Sequence, residues 1–265
     1  VIFYFSSTGN SKEAAEKIAA ANGDTLTDIG RAMKFGEMTY ELKAGEDLGI
    51  VTPVYYGGIP DIVYEFLKKV NLKGQGTDRY VYHVVTCGSV TGGANSMVMS
   101  ALSQNFGLTI SATYAIKTVD NYLPLFDCSD KEANQKRLAS AEKEMDQVAA
   151  QVAAKDLGEH NYYRGAWALL WPVEQFVYEY ARSTNKFHVT DACISCGLCA
   201  RNCPCNAIAM NNGKPAWVKE KCTLCLGCVH RCPAHAIQFG RSEKARAKAF
   251  AHGQYQNPDT APVEY

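Results

Sequence analysis

Four short apolar runs punctuate the first 157 residues: "VIFYF" (1–5), "LGIVT" (48–52), "YVYHVVT" (80–86) and "ATYAIKT" (112–118). Their length and their β-branched and aromatic content predict buried strands. A shorter run near Thr25–Ile29 predicts a fifth. The stretches between them carry helical spacing. In "SKEAAEKIAAA" (11–21), Ala14, Ala15, Ile18 and Ala19 share one face, and Glu13 and Lys17 pair four residues apart. "PDIVYEFLKKV" (60–70) opens on proline, which suits a first helical turn. Residues 130–157 predict the longest helix, with an apolar stripe of Leu138, Ala141, Met145, Val148 and Val152. Strand and helix alternating over this length predict an α/β fold, a doubly wound five-stranded parallel sheet with helices on both faces. In that architecture ligands bind outside the carboxyl ends of the strands.

The pattern then changes. Residues 158–187 are rich in Trp, Tyr and Phe and show no alternation, which predicts a helical aromatic linker between two halves. Residues 188–240 are dominated by cysteine, and 241–265 read as a basic helical piece, "RSEKARAKAF", followed by a polar, partly ordered tail with Pro258 and Pro262. The domain reading is therefore 1–157, 158–187, 188–240 and 241–265.

Charge refines this picture. Lys plus Arg and Asp plus Glu both total 27, which gives no basis for a nucleic-acid or anionic-membrane partner. The balance is uneven along the chain: residues 1–157 carry 15 basic and 19 acidic side chains, and residues 188–240 carry 5 and 2. Opposite net charge predicts that the halves attract and dock. The most membrane-like stretch, 165–180, contains Glu174, Glu179 and Pro172, and its apolar run is far short of the roughly 20 residues a span needs. With no charged leader ahead of "VIFYF", the expectation is a soluble, cytoplasmic protein.

Nine of the eleven cysteines lie between Cys193 and Cys232. Such an odd total at two-residue spacings is a poor disulfide framework and a good metal framework in a reducing compartment. "CISCGLCARNCP" spaces Cys193, Cys196, Cys199 and Cys203 by two, two and three residues before Pro204. "CTLCLGCVHRCP" repeats the arrangement with Cys222, Cys225, Cys228, Cys232 and Pro233. This is the bacterial ferredoxin signature, in which the fourth cysteine of each run ligates the other cluster. Cluster one is thus assigned to Cys193, Cys196, Cys199 and Cys232, and cluster two to Cys222, Cys225, Cys228 and Cys203. Thiolates are soft ligands for iron, and a cubane takes four. Zinc is the alternative for paired CxxC motifs, but two intact runs of this form do not suit tetrahedral zinc sites. Gly197 and Gly227 are expected to let the backbone pass close to the sulfides. A segment of this size makes a poor core alone and gains from a metal staple. Cys205 reads as a bystander, and Cys87 and Cys128 as small buried hydrophobes.

The stretch "FSSTGNS" opens the first half. It has neither the Gly-Lys-Ser/Thr of a Walker loop nor GxGxxG. A strand running through hydroxyls and one glycine into a helix still gathers N–H and O–H groups around an anion, and without lysine it suits a phosphate that does not react. An ordinary helix cap is the alternative. Ser6-x-Thr8-Gly9-x-Ser11 resembles the FMN phosphate loop of the flavodoxin family. "TPVYYGGIP" (52–60) and "TCGSVTGGA" (86–94) look like its two flavin-ring loops. With the cysteine half, the chain resembles the flavodoxin–ferredoxin fusion proteins of anaerobic bacteria. The resemblance implies a flavodoxin-like sheet joined to a small α+β dicluster ferredoxin domain. It implies that Ser6, Ser7, Thr8, Gly9, Asn10 and Ser11 hold the phosphate. It implies that Pro53, Val54, Tyr55, Tyr56 and Gly57 line one side of the isoalloxazine, a tyrosine lying against the ring. It also implies that Thr86, Cys87, Gly88 and Ser89, with Gly92 and Gly93, line the other. Asn121-Tyr122 is a candidate for the flavin rim. The basic cluster segment and the aromatic linker depart from both parent families.

The expected function is electron transfer between two 4Fe–4S clusters and FMN, to or from redox partner proteins. No side chain is singled out as a general acid or base. His83, His188, His230 and His235 read as core or surface residues, and His230, adjacent to the cluster-two ligands, is a candidate for tuning its potential. The alternative is a reductase of a small organic acceptor, such as a quinone or an unsaturated metabolite. That function needs an open pocket over the ring, and Trp167, Trp171 and Tyr178 could wall it or seal the interface between the halves. A redox sensor is a third reading with no specific support. Direct NAD(P)H oxidation is not expected.

Overall fold

The computed structural model describes residues 1–265 except Gln75 and Thr77 and the side chains of Ala166 and Trp167. The first half runs β1 (Ile2–Tyr4), α1 (Asn10–Asn22), β2 (Leu26–Asp28), α2 (Ile29–Phe35), β3 (Thr39–Glu41), β4 (Leu48–Pro53), α3 (Asp61–Lys69), β5 (Asn71–Lys73), β6 (Val81–Cys87), α4 (Ala94–Phe106), β7 (Ala112–Lys117) and α5 (Lys131–Ala153). A further strand, β8 (Gly158–His160), follows. The main sheet is parallel throughout, in the order β2-β1-β4-β6-β7-β8. It has one strand more than expected. The extra strand comes from the start of the segment read as linker, where Gly158-Glu159-His160 pairs with Ala112-Thr113-Tyr114. Three residues without an apolar run give no strand signal, and only the open edge of β7 makes them one.

Alternation along β1 divides the core. Phe3 and Phe5 face α3 and α4 with Ile50, Phe66 and Leu102. Ile2 and Tyr4 face α1 and α5 with Val51, Val84, Tyr114 and Met145. Both faces are buried, as parallel sheets require. Local caps set the helix starts: Asp28 accepts the Arg31 N–H, and Asp130 accepts that of Ala133.

His83 sits at the centre of β6, fully buried, between the Thr52 hydroxyl (3.0 Å) and the Asn95 side-chain oxygen (2.8 Å). Burial lowers its pKa from 6.5 to about 4. The unfolded chain therefore takes up a proton near pH 6.5 that the folded chain refuses until about pH 4. Stability is fully present above pH 6.5 and falls as the pH drops through that window, by about 3 kcal/mol from this group. Denaturant titrations at pH 7 and pH 5 should show a smaller acid loss in His83→Gln than in the parent. An equal loss in both would remove His83 as a cause.

After a 3-10 turn (Ala166–Leu170) and α6 (Trp171–Ala181), the second half comprises β9 (Phe187–Val189), α7 (Leu198–Arg201), β10 (Ile208–Asn211), β11 (Lys214–Trp217), α8 (Gly227–His230) and β12 (Ile237–Phe239), and α9 (Glu243–Ala251) follows. β12 pairs antiparallel with β9, and β10 with β11. The two cysteine loops repeat one backbone. Ser195 and Gly197 flank Cys196 in left-handed conformations, and Leu224 and Leu226 do the same around Cys225. The left-handed slot of the second loop thus falls on Leu226 and not on Gly227. Gly227 is needed for a different reason: a Cβ there would stand 2.7 Å from Ser7 Oγ of the first half.

The halves do dock, but not by the attraction that their net charges suggest. No ion pair joins residues 1–157 to 188–240 among the described residues. The interface is apolar, with Val119, Leu123 and Leu138 packed among Leu224, Leu226, Val229 and Phe239. Neutral and single-charge hydrogen bonds frame it: Ser7 Oγ to Cys225 O (3.0 Å), and Lys34 Nζ to Cys203 O (3.1 Å) and Asn206 Oδ1 (2.9 Å). The C-terminal residues are also ordered. Residues 252–265 cross from the cysteine loops to the start of α1, with Tyr255, Asn257 and Val263 buried.

Candidate cofactor sites and the interface between them

A cavity of about 320 Å3 opens at the carboxyl ends of β1, β4, β6 and β7, within the size range of small-molecule sites. Its floor is the opening loop, with Ser6, Ser7, Thr8, Asn10 and Ser11 lining it, all buried. Gly9 stands behind the cavity as the cap of α1, with φ at 107°. The N–H groups of Ser7, Thr8, Asn10 and Ser11 have no acceptor among the described residues. Buried N–H groups are rarely left so, and at a helix N-terminus they suit an anion.

The side chains divide the work. Ser6 Oγ accepts the Gly9 N–H (3.1 Å) and Thr8 Oγ1 accepts Asn121 Nδ2 (2.6 Å), so both O–H groups remain free to donate. Ser11 and Thr86 share one hydrogen bond (2.7 Å), which leaves one of their two protons. Ser7 spends its proton on Cys225 O. The Asn10 carboxamide is saturated: Nδ2 donates to Thr118 Oγ1 and Val119 O, and Oδ1 accepts from Tyr255 and Asn257. Asn10 therefore offers the cavity its N–H, while its side chain braces the loop.

Pro53, Val54, Tyr55, Tyr56 and Gly57 line one wall, and Thr86, Cys87, Gly88 and Ser89 another. Tyr55 and Gly58 exchange backbone hydrogen bonds (2.8 and 3.1 Å) around Tyr56 and Gly57, whose φ values are 51° and 67°. Two positive φ angles make this a type I′ turn, which bulky Tyr56 adopts at a cost. Gly92 and Gly93 do not line the cavity. Gly93 N–H donates to Gly57 O (2.7 Å), tying the second loop to the first. A side chain on Gly93 would run into the Trp171 indole.

Four further groups of residues line the cavity, and of these only Asn121-Tyr122 and Tyr178 are candidates from the sequence alone. Asp120, with burial raising its carboxyl pKa, and Asn121-Tyr122 come from the loop after β7. Leu125 and Phe126 stand exposed at the mouth. Glu174 and Tyr178 come from α6. Leu224, Cys225 and Leu226 come from the second cysteine loop. Trp171 and Tyr178 pack inward on the loops 52–60 and 86–94, and Tyr178 both walls the cavity and seals the interface. The Trp167 side chain lies outside the described residues. The opposite side of α6 is bare, with Val173, Phe176, Val177 and Tyr180 all exposed.

The cysteines fall into two further cavities. One is lined by Cys193, Cys196, Cys199 and Cys232. The other is lined by Cys199, Cys203, Cys205, Cys222, Cys225 and Cys228. Cys232 thus lies with the first cysteine run and Cys203 with the second, and Cys199 lines both cavities. Ala207 N–H points at Cys203 Sγ and Ala236 N–H at Cys232 Sγ, both 3.3 Å, in the same place in each repeat. Burial, reinforced by neighbouring thiols, pushes the thiols of Cys199 and Cys222 up to about 11 and about 12 and raises that of Cys228 well above its ordinary value. Such cavities hold thiolates only with compensating positive charge, which an iron–sulfur centre supplies. Cys205, read as a bystander, lines the second cavity, and its thiol is close to those of Cys225, Cys203 and Cys222.

His230 is buried between the two sites. Its Nε2–H donates to Asn121 O (2.9 Å), and its Nδ1 accepts the Tyr255 N–H (3.1 Å). These partners require the neutral ring, and burial lowers its pKa to about 4.

Comparison with known proteins agrees with this division. A flavodoxin domain family matches residues 1–114, and a 4Fe–4S dicluster domain family matches residues 185–241. The chain thus fuses a flavodoxin-like FMN domain to a 4Fe–4S dicluster ferredoxin domain. It is an iron–sulfur flavoprotein of the electron-transfer type, with FMN and two 4Fe–4S clusters as its cofactors. No curated protein matches it. Among solved structures, an azoreductase from Bacillus anthracis is 13% identical and covers 58% of this chain and 98% of its own, with a TM-score of 0.37. Flavodoxin 1 from Bacillus cereus is 15% identical over 59% and 97%, with a TM-score of 0.35. An NAD(P)H:quinone oxidoreductase from Methanothermobacter marburgensis is 12% identical over 56% and 94%, with a TM-score of 0.35. Among the described residues, no helix is long and apolar enough to cross a membrane.

Proposed function

We propose that the chain passes electrons between redox partner proteins and FMN by way of its two clusters, in the cytoplasm of an anaerobic cell. The observation that carries this reading is the shared wall: Leu224, Cys225 and Leu226 of the second cysteine run line the FMN cavity directly. Cys203, Cys222, Cys225 and Cys228 are the ligands we assign to the flavin-side cluster. Cys193, Cys196, Cys199 and Cys232 are those of the outer one. Cys196 and Ile194 are exposed, which makes the outer run the side a partner protein can approach. Bound in these sites, the clusters exchange single electrons and FMN takes one or two.

The chain's own residues hold and shield the groups. Ser6, Thr8 and the Ser11–Thr86 pair offer hydroxyl protons to the phosphate, with the N–H groups of Ser7, Thr8, Asn10 and Ser11. Tyr56, held by Tyr122 (2.5 Å between hydroxyls) and stacked on Tyr178, offers an aromatic wall to the ring. Residues 1–157 and 188–240 are the functional units we assign, with β8 and α6 of the intervening segment completing the sheet and closing the cavity.

A second reading has its own observation. The mouth bears exposed Leu125 and Phe126 beside Glu174, whose carboxylate has no partner among the described residues. That setting suits a flat organic acceptor such as a quinone.

A stepwise anaerobic reductive titration followed by absorption tests the main reading. Flavin bands should bleach beside a broad iron–sulfur shoulder, with about eight irons per chain. Absence of flavin, and failure to bind added FMN, would sink it. Steady turnover of quinones by the reduced protein would select the second reading.

A further inference from the structure

The C-terminal strap, residues 252–265, forms part of the flavodoxin-like site although it follows the ferredoxin domain. Its Asn257 N–H donates to Thr8 O (2.7 Å), fixing the peptide between Thr8 and Gly9. Asn257 Nδ2 and the Tyr255 hydroxyl both donate to Asn10 Oδ1 (3.2 and 2.6 Å). A Cβ on Gly9 would stand 2.7 Å from Asn257 Cβ and 2.9 Å from Thr260 Cγ2, so the strap fills the space behind that glycine. At its other end, Gln254 Nε2 donates to the carbonyls of Val229 and Cys232, and Arg231 donates to Val263 O.

The charges near the loop explain why such bracing matters. Lys12, the first cation after the loop, is turned away to Ala261 O (2.7 Å) and pairs with Glu16 (3.7 Å). Glu13, in the first turn of α1, is buried, which raises its pKa. Its carboxylate, unfavourable to a nearby anion, accepts Asn257 Nδ2 (2.7 Å). Among the described residues no Lys or Arg side chain donates to residues 6–11, and buried Arg231, near Ser7, donates to the carbonyls of Gly227, Asn202 and Val263; the loop therefore holds a phosphate by the aim of its N–H and O–H groups. Aim is what the strap fixes, through Thr8, Gly9 and Asn10.

We infer that Tyr255 and Asn257 are positioning residues for the FMN phosphate, so that selection of FMN over riboflavin depends on the C-terminal strap. This rests on the FMN reading of the cavity. Fixing a hydrogen-bonding loop for a charged ligand is worth on the order of tenfold in affinity.

The test uses the full chain with its clusters, freed of flavin and titrated separately with FMN and with riboflavin by fluorescence quenching. Asn257→Ala should weaken FMN about tenfold, leave riboflavin within about twofold and leave iron per chain unchanged. The phosphorus-31 resonance of bound FMN should shift. Asn257→Asp, which sets a second carboxylate beside Glu13, should weaken FMN further. Tyr255→Phe keeps the packing and should move the FMN-to-riboflavin ratio in the same direction by less. Equal loss of both flavins, or loss of neither, overturns the inference while leaving the cavity a flavin site. A parent protein that binds neither flavin overturns the FMN reading itself, and the inference with it.

Discussion

Cys225→Ala, made in a Cys205→Ala background, is expected to reduce the iron from about eight to about four per chain while the FMN site still loads. The second substitution is needed because the Cys205 thiol lines the same cavity and could replace the missing ligand. Cys225 is chosen because it belongs to both sites: its side chain faces the second cysteine cavity and its residue lines the flavin cavity. The backbone at that point is held by Ser7 Oγ on its carbonyl, which alanine preserves. The loop therefore keeps its docking and loses only a thiolate. Electrons supplied to the outer cysteine run should then no longer reach the flavin within the mixing time of a stopped-flow experiment, whereas the parent bleaches both chromophores together. The Cys205→Ala parent should retain full iron. If the double variant still reduces its flavin as fast as the parent, the second run is not on the route. If it loses all its iron, the two clusters form one assembly unit and the ordering is not tested by this residue, so Cys193→Ala must give the complementary half.

The parts legible in the sequence were those written in periodic or repeated signals. The strands of the main sheet other than β8 rest on apolar runs, and α1 and α5 on apolar stripes, so they appear near their expected limits. The gathering of the cysteines around two cavities follows a spacing that occurs twice. The opening loop is legible as a lining of the cavity because hydroxyls and a glycine lead from a strand into a helix. What could not be read was whatever depends on distant segments meeting. β8 is a strand only because β7 offers an edge. Glu174 reaches the flavin cavity because α6 packs on Gly57 and Gly58, positions where a side chain would collide with Glu174 and Gln175. The strap reads as a polar tail because two of its buried residues, Tyr255 and Asn257, are polar and find their partners 244 to 247 residues away in sequence. The net charges of the halves pointed to docking but to the wrong cause, since charge counted along the chain does not show that Lys214 and Lys221 are already paired with Asp191 and Glu179.

Tyr178→Ala is expected to cost about 3–5 kcal/mol, a large stability effect for a residue outside the cluster ligands. Tyr178 is 2% exposed and touches three parts of the molecule at once. Its ring stacks on Tyr56 at 5.4 Å and meets Tyr55 edge-on at 6.3 Å, with the Arg182 guanidinium 5.6 Å over its face. Its hydroxyl donates to Thr223 O in the second cysteine run at 2.6 Å. Removing the ring opens a cavity where linker, flavin loop and cluster loop meet, and frees the strained turn at Tyr56. The effect should therefore appear in both chromophores. In anaerobic denaturant titrations, flavin release and iron–sulfur bleaching should move to lower denaturant together. Tyr178→Phe separates the two contributions. It keeps the stack and leaves Thr223 O without its donor, at a cost of about 1–3 kcal/mol, felt first at the cysteine run. A Phe variant as damaging as Ala would mean that the hydroxyl, not the ring, joins the halves. An Ala variant that shifts only the flavin would mean that the linker helix guards the flavin cavity without holding the ferredoxin domain in place.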